Sequence, residues 1–150
     1  MRVWRLTRSA YSKAPLSGEG ALRAGSRWNS AGVRMAYTST TRALALLELL
    51  VHVTRSTVPA DLVLIPIDVP GDSAVEAEAL PGDWNGLPFS IPARQYGDRW
   101  IRSGSTLGLI VPSVIVPHEN NLLINPVHPG IRDIKIHRPE PFGFDARLFR

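Results

Sequence analysis

The stretch Arg42 to Thr54, RALALLELLVHVT, constrains this chain more than any other. Its Ala and Leu have high helix propensity, and apolar side chains fall on nearly every face of the helix they form. A helix of that kind requires cover, so the segment predicts a central, buried helix around which the remaining elements pack. Thr40 or Thr41 supplies its N-cap. Glu48 stands inside this helix among Leu44, Leu47, Leu49, Leu50 and Val51. An unpaired carboxylate is costly to bury, so it must be protonated, paired with a cation or set in the wall of a polar cleft. Two readings follow: Glu48 lies on the one wet strip of the helix, paired with Arg42 or Arg55, or it serves chemistry in a cleft. His52, four residues on, shares its face.

Around the helix the pattern is mainly β. Met1 to Thr7 alternates as a strand, Ser12 to Ser30 reads as a loop that presents side chains, and Val33 to Thr38 is a short strand leading into the helix. Asp61 to Val69 alternates Val63, Ile65, Ile67 and Val69, with Pro66 pointing to an edge or a bulge. A short helix is expected at Ser73 to Leu80 and a longer one at Arg94 to Ser103. Leu107 to Val116, Asn121 to Ile124 and Ile131 to His137 are the remaining strand candidates. With 150 residues, no repeat and no linker-like tract, this is one α+β domain with a mixed sheet.

Composition excludes several classes. There is no cysteine, which removes disulfides, thiol nucleophiles and cysteine-ligated zinc. The first ten residues lack the apolar core of a secretory signal, and the apolar run Ala43 to Val53 is too short to span a bilayer, so a cytoplasmic protein without membrane contact is expected. The net charge of +4 comes from arginine, with lysine only at Lys13 and Lys135. Arginine suits phosphate and carboxylate recognition through its planar fork. Glu48 and His52 lack a third ligand at metal-binding spacing, and neither a nucleophile elbow nor a phosphate loop is present, so no metal site is expected.

Three further residues join Glu48 as candidates. Arg27 sits in a glycine-containing loop, either exposed or forking onto phosphate oxygens. Tyr37 ends a strand, either packed in the core or stacked on a planar ring with its hydroxyl bonded. Ser113, after Pro112, is either structural or a donor to a ligand.

Spaced in order along the chain, Gly25-Ser26-Arg27-Trp28-Asn29, Gly32, Ala36-Tyr37-Thr38, Ala45-Leu46-Leu47-Glu48 and His52 resemble the signature of RES-domain proteins. A second block, Val111-Pro112-Ser113, Glu119, Asn121, Ile124-Asn125-Pro126 and His128-Pro129, matches that family's later elements. Ser26 departs from the pattern, standing where a second glycine is common. The resemblance implies a RES domain over residues 1–150, a fold like that of ADP-ribosyltransferases, and a growth-inhibiting toxin that cleaves NAD at the nicotinamide–ribose bond. It implies NAD as a substrate, no separate cofactor, and an Xre-type helix-turn-helix antitoxin as partner, in a homodimer or a hetero-oligomer. Within it, Glu48, Arg27 and Tyr37 are the expected catalytic residues, and Arg27, Tyr37, Ser113 and Asn125 the expected substrate-binding ones, with Asn125 and His128 bracing the pocket.

Cleavage of this bond leaves positive charge on the ribose, so Glu48 is expected to stabilise the ribosyl cation, Arg27 to hold the diphosphate, Tyr37 to stack on the nicotinamide or its ribose, and Ser113 to bond the ribose or position Glu48. Water, phosphate or a protein side chain remains open as the acceptor, so NAD hydrolysis, phosphorolysis and protein ADP-ribosylation all stay in play. The rival reading is an RNA-binding or RNA-cleaving toxin, motivated by the arginine excess and by Trp4, Trp28, Trp84 and Trp100 as stacking surfaces; no RNA-binding motif accompanies them.

Overall fold

Alternation along Val63, Ile65 and Ile67 is realised as a strand in the computed structural model, which describes residues 1–149; Arg150 lies outside the described residues. The elements run β1 (Arg2–Arg8), α1 (Glu19–Ala24), β2 (Ala36–Ser39), α2 (Arg42–Leu50), β3 (Leu62–Asp68), β4 (Ala74–Glu76), α3 (Ile91–Ser103), β5 (Gly108–Pro112), β6 (Asn120–Ile124), β7 (Lys135–Ile136) and β8 (Glu140–Pro141). The strands form one sheet in the order β4-β5-β6-β2-β1-β3-β7, with β8 also on β3. Among the described residues only β4 and β5 run parallel, so the sheet is mixed.

The period-two rule places a core on each face. On β6, Leu122 and Ile124 join Val3, Ile65, Ile67 and Val69, whereas Leu123 joins Trp28, Met35, Ala93 and Trp100 on the other side. Leu109 and Val111 of β5 point the same way as Leu123. Pro66 sits in β3 at no cost to the ladder with β1. Its carbonyl accepts from the His137 amide, and a residue's N and O face the same side of a strand, so the missing N–H falls in the gap between β7 and β8.

The sheet is tightly joined on one side of β1 and barely joined on the other. β1 and β3 pair continuously from Arg2↔Asp68 to Arg8↔Leu62, but β1 and β2 meet at the single pair Trp4↔Ser39. Below that point the two strands diverge, and a cleft opens between them.

Four expectations change. Thr41 caps α2, its Oγ1 accepting from the Leu44 amide at 3.0 Å, but the helix stops at Leu50 because Val51, Val53 and Thr54 are β-branched. It is also half-buried rather than central: Leu44 and Ala45 are enclosed, Arg42 and Ala43 are exposed, and the residues from Leu46 to Leu50 are half-buried. The loop Ser12 to Ser30 contains α1, anchored by the Asn29 amide on the Ala21 carbonyl. Ser73 to Leu80 is not a helix, because its first residues add to the sheet edge as β4, where Gly108 admits Ala74 closely. Of Ile131 to His137, only Lys135–Ile136 is a strand, since a 3-10 turn begun at Pro129 occupies the rest.

At the far edge, Asp68 accepts from Arg2 at 2.7 Å and meets His137 Nε2 at 2.6 Å, tying β1, β3 and β7 together. These partners, Arg2 foremost, hold its carboxyl well below the usual range. A depressed folded-state pKa means stability present above the unfolded value and lost as pH falls through the folded one. The Asp68→Asn variant is therefore expected to melt below wild type at pH 7, with the gap closing as the pH drops below about 4; thermal scans across that range measure it.

Candidate active site

Two cavities meet at Glu48. The smaller, about 330 Å³, lies in the divergence of β1 and β2; the larger, about 760 Å³, extends toward Arg27, Arg94 and Phe89. Both volumes are in the range of small-molecule sites. They share Gly25, Ser26, Tyr37, Glu48, His52 and Asn121. Glu48 is the one acidic side chain lining either of them among the described residues.

The carboxylate is held from the sheet rather than by a cation. Its Oε1 accepts from Ser113 Oγ at 2.9 Å and from Asn121 Nδ2 at 2.6 Å. Both donors have fixed directions. Ser113 Oγ accepts from the Ile115 and Val116 amides, so its single proton goes to Glu48. Asn121 Oδ1 accepts from Ser39 Oγ, which turns the amide NH₂ toward Glu48. Oε2 has no partner among the described residues. The pairing of Glu48 with Arg42 or Arg55 is not found among the described residues, and Arg42 pairs with Glu140 instead.

Arg27 is a wall and a fastener at once. Its Nη1 donates to the carbonyls of Trp84 at 2.9 Å and Gly86 at 2.8 Å, drawing that loop over the larger cavity, where the Trp84 ring lies 5.9 Å from that of Trp28. Burial pulls its guanidinium below the ordinary value, and the charge of Glu48 acts the other way. Tyr37 donates its hydroxyl to Asn29 Oδ1 at 2.7 Å and accepts from the Trp28 amide at 3.1 Å, while burial pushes that hydroxyl well up. Its ring still lines both cavities.

Arg27, Tyr37, Glu48 and Ser113 thus come together, Ser113 through its bond to Glu48. Asn125 does not. It is 1% exposed, lines neither cavity, accepts from the Val127 amide and donates to the Ile101 carbonyl, so its work is to shape the turn after β6. His128, which accepts from the Gly130 amide, caps the next turn. The tryptophans do not form an open stacking surface: Trp28 and Trp100 are buried, Trp84 covers Trp28, and Trp4 lies under Arg42.

Several site residues carried no role in the sequence reading. Asn121 bonds Glu48 directly, and an asparagine within an apolar strand was a usable signal, being disfavoured there. Arg94 donates to the Ser26 carbonyl and lies 4.5 Å over the Phe89 ring. Asp98, 4% exposed, accepts from the amide and hydroxyl of Ser30 and so pins the Arg27 loop to α3.

With that geometry in place, the comparisons with known proteins are direct. The family model described as "RES domain" matches residues 2–145. The chain belongs to the RES-domain family. Relatives include the "Prs ADP-ribosylating toxin" of Sphingobium sp. (strain YBL2), 40% identical over 98% of this chain and 96% of that protein. A "Toxin Res" of Photorhabdus laumondii is 38% identical over 100% of this chain and 98% of its own. A chain from the crystal structure of the M. tuberculosis MbcT-MbcA toxin-antitoxin complex shares the fold, with a TM-score of 0.71, 17% identity and coverage of 94% of this chain and 83% of that one. The RES domain here is therefore the expected α+β unit with a mixed sheet, with the fold of that chain.

One position couples this family's arginine loop to α3. A Cβ at Gly97 would collide with the Trp28 carbonyl, next to Arg27. Alanine favours a helix by about 1 kcal/mol over glycine, but overpacking against backbone costs about 1–3 kcal/mol or more. The Gly97→Ala variant is expected to be net destabilised, with a midpoint lowered in urea titration and the Arg27 loop displaced.

Proposed function

We propose that this RES domain cleaves the bond between nicotinamide and ribose in NAD, acting as the toxin of a toxin–antitoxin pair in the cytoplasm. The observation that carries the chemistry is Glu48, the one carboxylate among the described residues at the junction of two cavities, with Oε1 held by two oriented donors and Oε2 without a partner among those residues.

When the C–N bond breaks, its electron pair leaves with nicotinamide, which departs neutral, and C1′ of the ribose becomes an oxocarbenium ion. A fixed negative charge beside C1′ or the 2′-hydroxyl interacts more strongly with that state than with the ground state, which is the condition for acceleration. Glycosidases that activate water or form a covalent intermediate employ two carboxylates. One carboxylate suits a cleavage in which nicotinamide, already cationic in the substrate, needs no protonation to leave. Ser113 and Asn121 position Glu48. Arg27 keeps Nε and Nη2 for the diphosphate, and the ring of Tyr37 offers a face for nicotinamide or its ribose. An oxygen of the acceptor then attacks C1′ and gives up its proton.

The toxin role is supported by the relatives named as toxins and by the fold shared with a chain of a toxin–antitoxin complex. An antitoxin of the Xre helix-turn-helix kind is the partner in this reading. The Sphingobium relative's name favours a second reading, transfer of ADP-ribose to a cellular protein. Incubation with NAD, with and without phosphate and lysate, separates the outcomes by mass spectrometry: free ADP-ribose, its phosphorylated form or a mass-shifted protein.

Glu48→Gln is expected to bind NAD yet release nicotinamide at least about a hundredfold more slowly, the size of a lost electrostatic stabiliser; near-normal turnover would sink the mechanism. Arg27→Ala is expected chiefly to raise KM for NAD, because its proposed partner does not react. Unchanged NAD affinity in that variant would remove Arg27 from substrate binding.

A further inference from the structure

Between β4 and α3 the chain runs from Ala77 to Ser90 without a helix or strand, yet its backbone is fastened at several points. The Tyr96 hydroxyl donates to the Glu78 carbonyl at 2.7 Å, Arg27 holds the Trp84 and Gly86 carbonyls, and the Trp84 ring stacks on Trp28 at an interplanar angle of 17°. At the far end Ser90, 3% exposed, caps α3 by accepting from the Ala93 amide at 3.1 Å. Leu87, Pro88 and Phe89 stand between these anchors, and all three line the larger cavity. Leu87 is 78% exposed and Phe89 46%. A single exposed leucine is ordinary, but a run of apolar side chains held against a cavity marks a ligand surface.

Phe89 is also backed by a cation. The Arg94 guanidinium lies 4.5 Å over its ring, and Arg94 Nε is tied to the Ser26 carbonyl, so the pair is fixed while the ring keeps an open side. Apart from Arg27 and Arg94, the polar side chains of the larger cavity are those it shares with the smaller one around Glu48; the remainder are apolar or aromatic. The Trp84 and Gly86 carbonyls are already taken by Arg27. Such a surface offers a planar base a stacking face and little with which to read its edge. In the NAD reading Glu48 stands at the reacting ribose and Arg27 at the diphosphate, which leaves the second nucleoside beyond Arg27, on the side of Phe89 and Arg94. We propose that Phe89, backed by Arg94, is the stacking platform for the base of that second nucleoside, and that it selects a planar base without distinguishing adenine from guanine. The proposal rests on the NAD reading for its ligand, and it gives the loop before α3 a part in substrate choice.

The test is calorimetric titration of ADP, GDP and inorganic pyrophosphate into the wild-type protein, Phe89→Ala, Phe89→Leu and Phe89→Tyr, with circular dichroism to verify folding. Wild type is expected to bind ADP and GDP within about fivefold of each other and pyrophosphate more weakly than either, since stacking accepts both purines. Phe89→Ala and Phe89→Leu are expected to weaken ADP and GDP at least about fivefold, the scale of a lost base–aromatic stack, with pyrophosphate changed less than about twofold and Phe89→Tyr recovering the loss. If Phe89→Ala fails to fold, Phe89→Leu decides alone, because it keeps an apolar side chain and removes only the ring.

A smaller loss of ADP affinity in the folded variants, an equal loss of pyrophosphate, or no binding of ADP to the wild type overturns the proposal. So does a preference between ADP and GDP beyond about fivefold, which is the mark of a base read at its edge. Nicotinamide release is then measured with NAD and with nicotinamide guanine dinucleotide: similar kcat/KM for the two in the wild type, with KM for both raised in Phe89→Leu, supports the platform, and use of NAD alone overturns it. A wild-type protein that releases no nicotinamide but binds ADP through Phe89 refutes the NAD reading and leaves the platform standing. Release of nicotinamide with ADP binding indifferent to Phe89 refutes the platform and leaves the NAD reading.

Discussion

The parting of β1 from β2 is the constraint on which the rest of the site depends. Strand β1 is fully laddered to β3, so it cannot swing back to close the gap, and it touches β2 at Trp4↔Ser39 alone. Backbone groups along the split lose their sheet partners and must find others, as an enclosed carbonyl without a bond is costly. Arg5 answers one of them at Tyr37. The cleft is thus made by the sheet itself, and helix α2 lies across it with Glu48 at the opening.

Placing a carboxylate there required neutral partners. In the proposed cleavage, a cation bonded to Glu48 would compete with the developing charge of a ribosyl cation, whereas hydroxyl and amide donors orient the group and leave its charge in play. Asn121 does this from β6 and Ser113 from just past the end of β5, and each is itself fixed by a further bond, Ser113 to the Ile115 and Val116 amides and Asn121 to Ser39. Precision at Oε1 therefore comes from three strands and a turn. The arginines stand farther out, where Arg27 and Arg94 also hold loop carbonyls.

The sequence revealed elements whose signal is local. Alternation placed β3, the Ala and Leu run placed α2, and the helix expected at Arg94 to Ser103 is α3, which begins earlier, at Ile91 behind the Ser90 cap. It misjudged what depends on distant neighbours. α2 looked buried because its composition is apolar, yet only Leu44 and Ala45 are enclosed and its other leucines stay partly exposed. The helix expected at Ser73 to Leu80 lost to pairing with β5, a contact no window of sequence contains. Arg27, Tyr37, Glu48 and Ser113 were legible through motif order, whereas Asn125 carries the same kind of motif signal and does a turn's work. Arg5 was silent because its bond to the Tyr37 carbonyl joins residues far apart in the chain, a contact that only the folded state makes.

Helix α2 has nine residues. Helices that short are marginal alone, so this one is sustained by its contacts with β1 and β2. Its carboxylate is consequently an attribute of the docked helix and not of the helix itself. Any fluctuation that peels α2 from the sheet withdraws the charge from the cleft before the domain as a whole unfolds. Activity and local order at this one edge of the molecule are then a single quantity, open to control by whatever binds over α2 and fixes it in place or lifts it away.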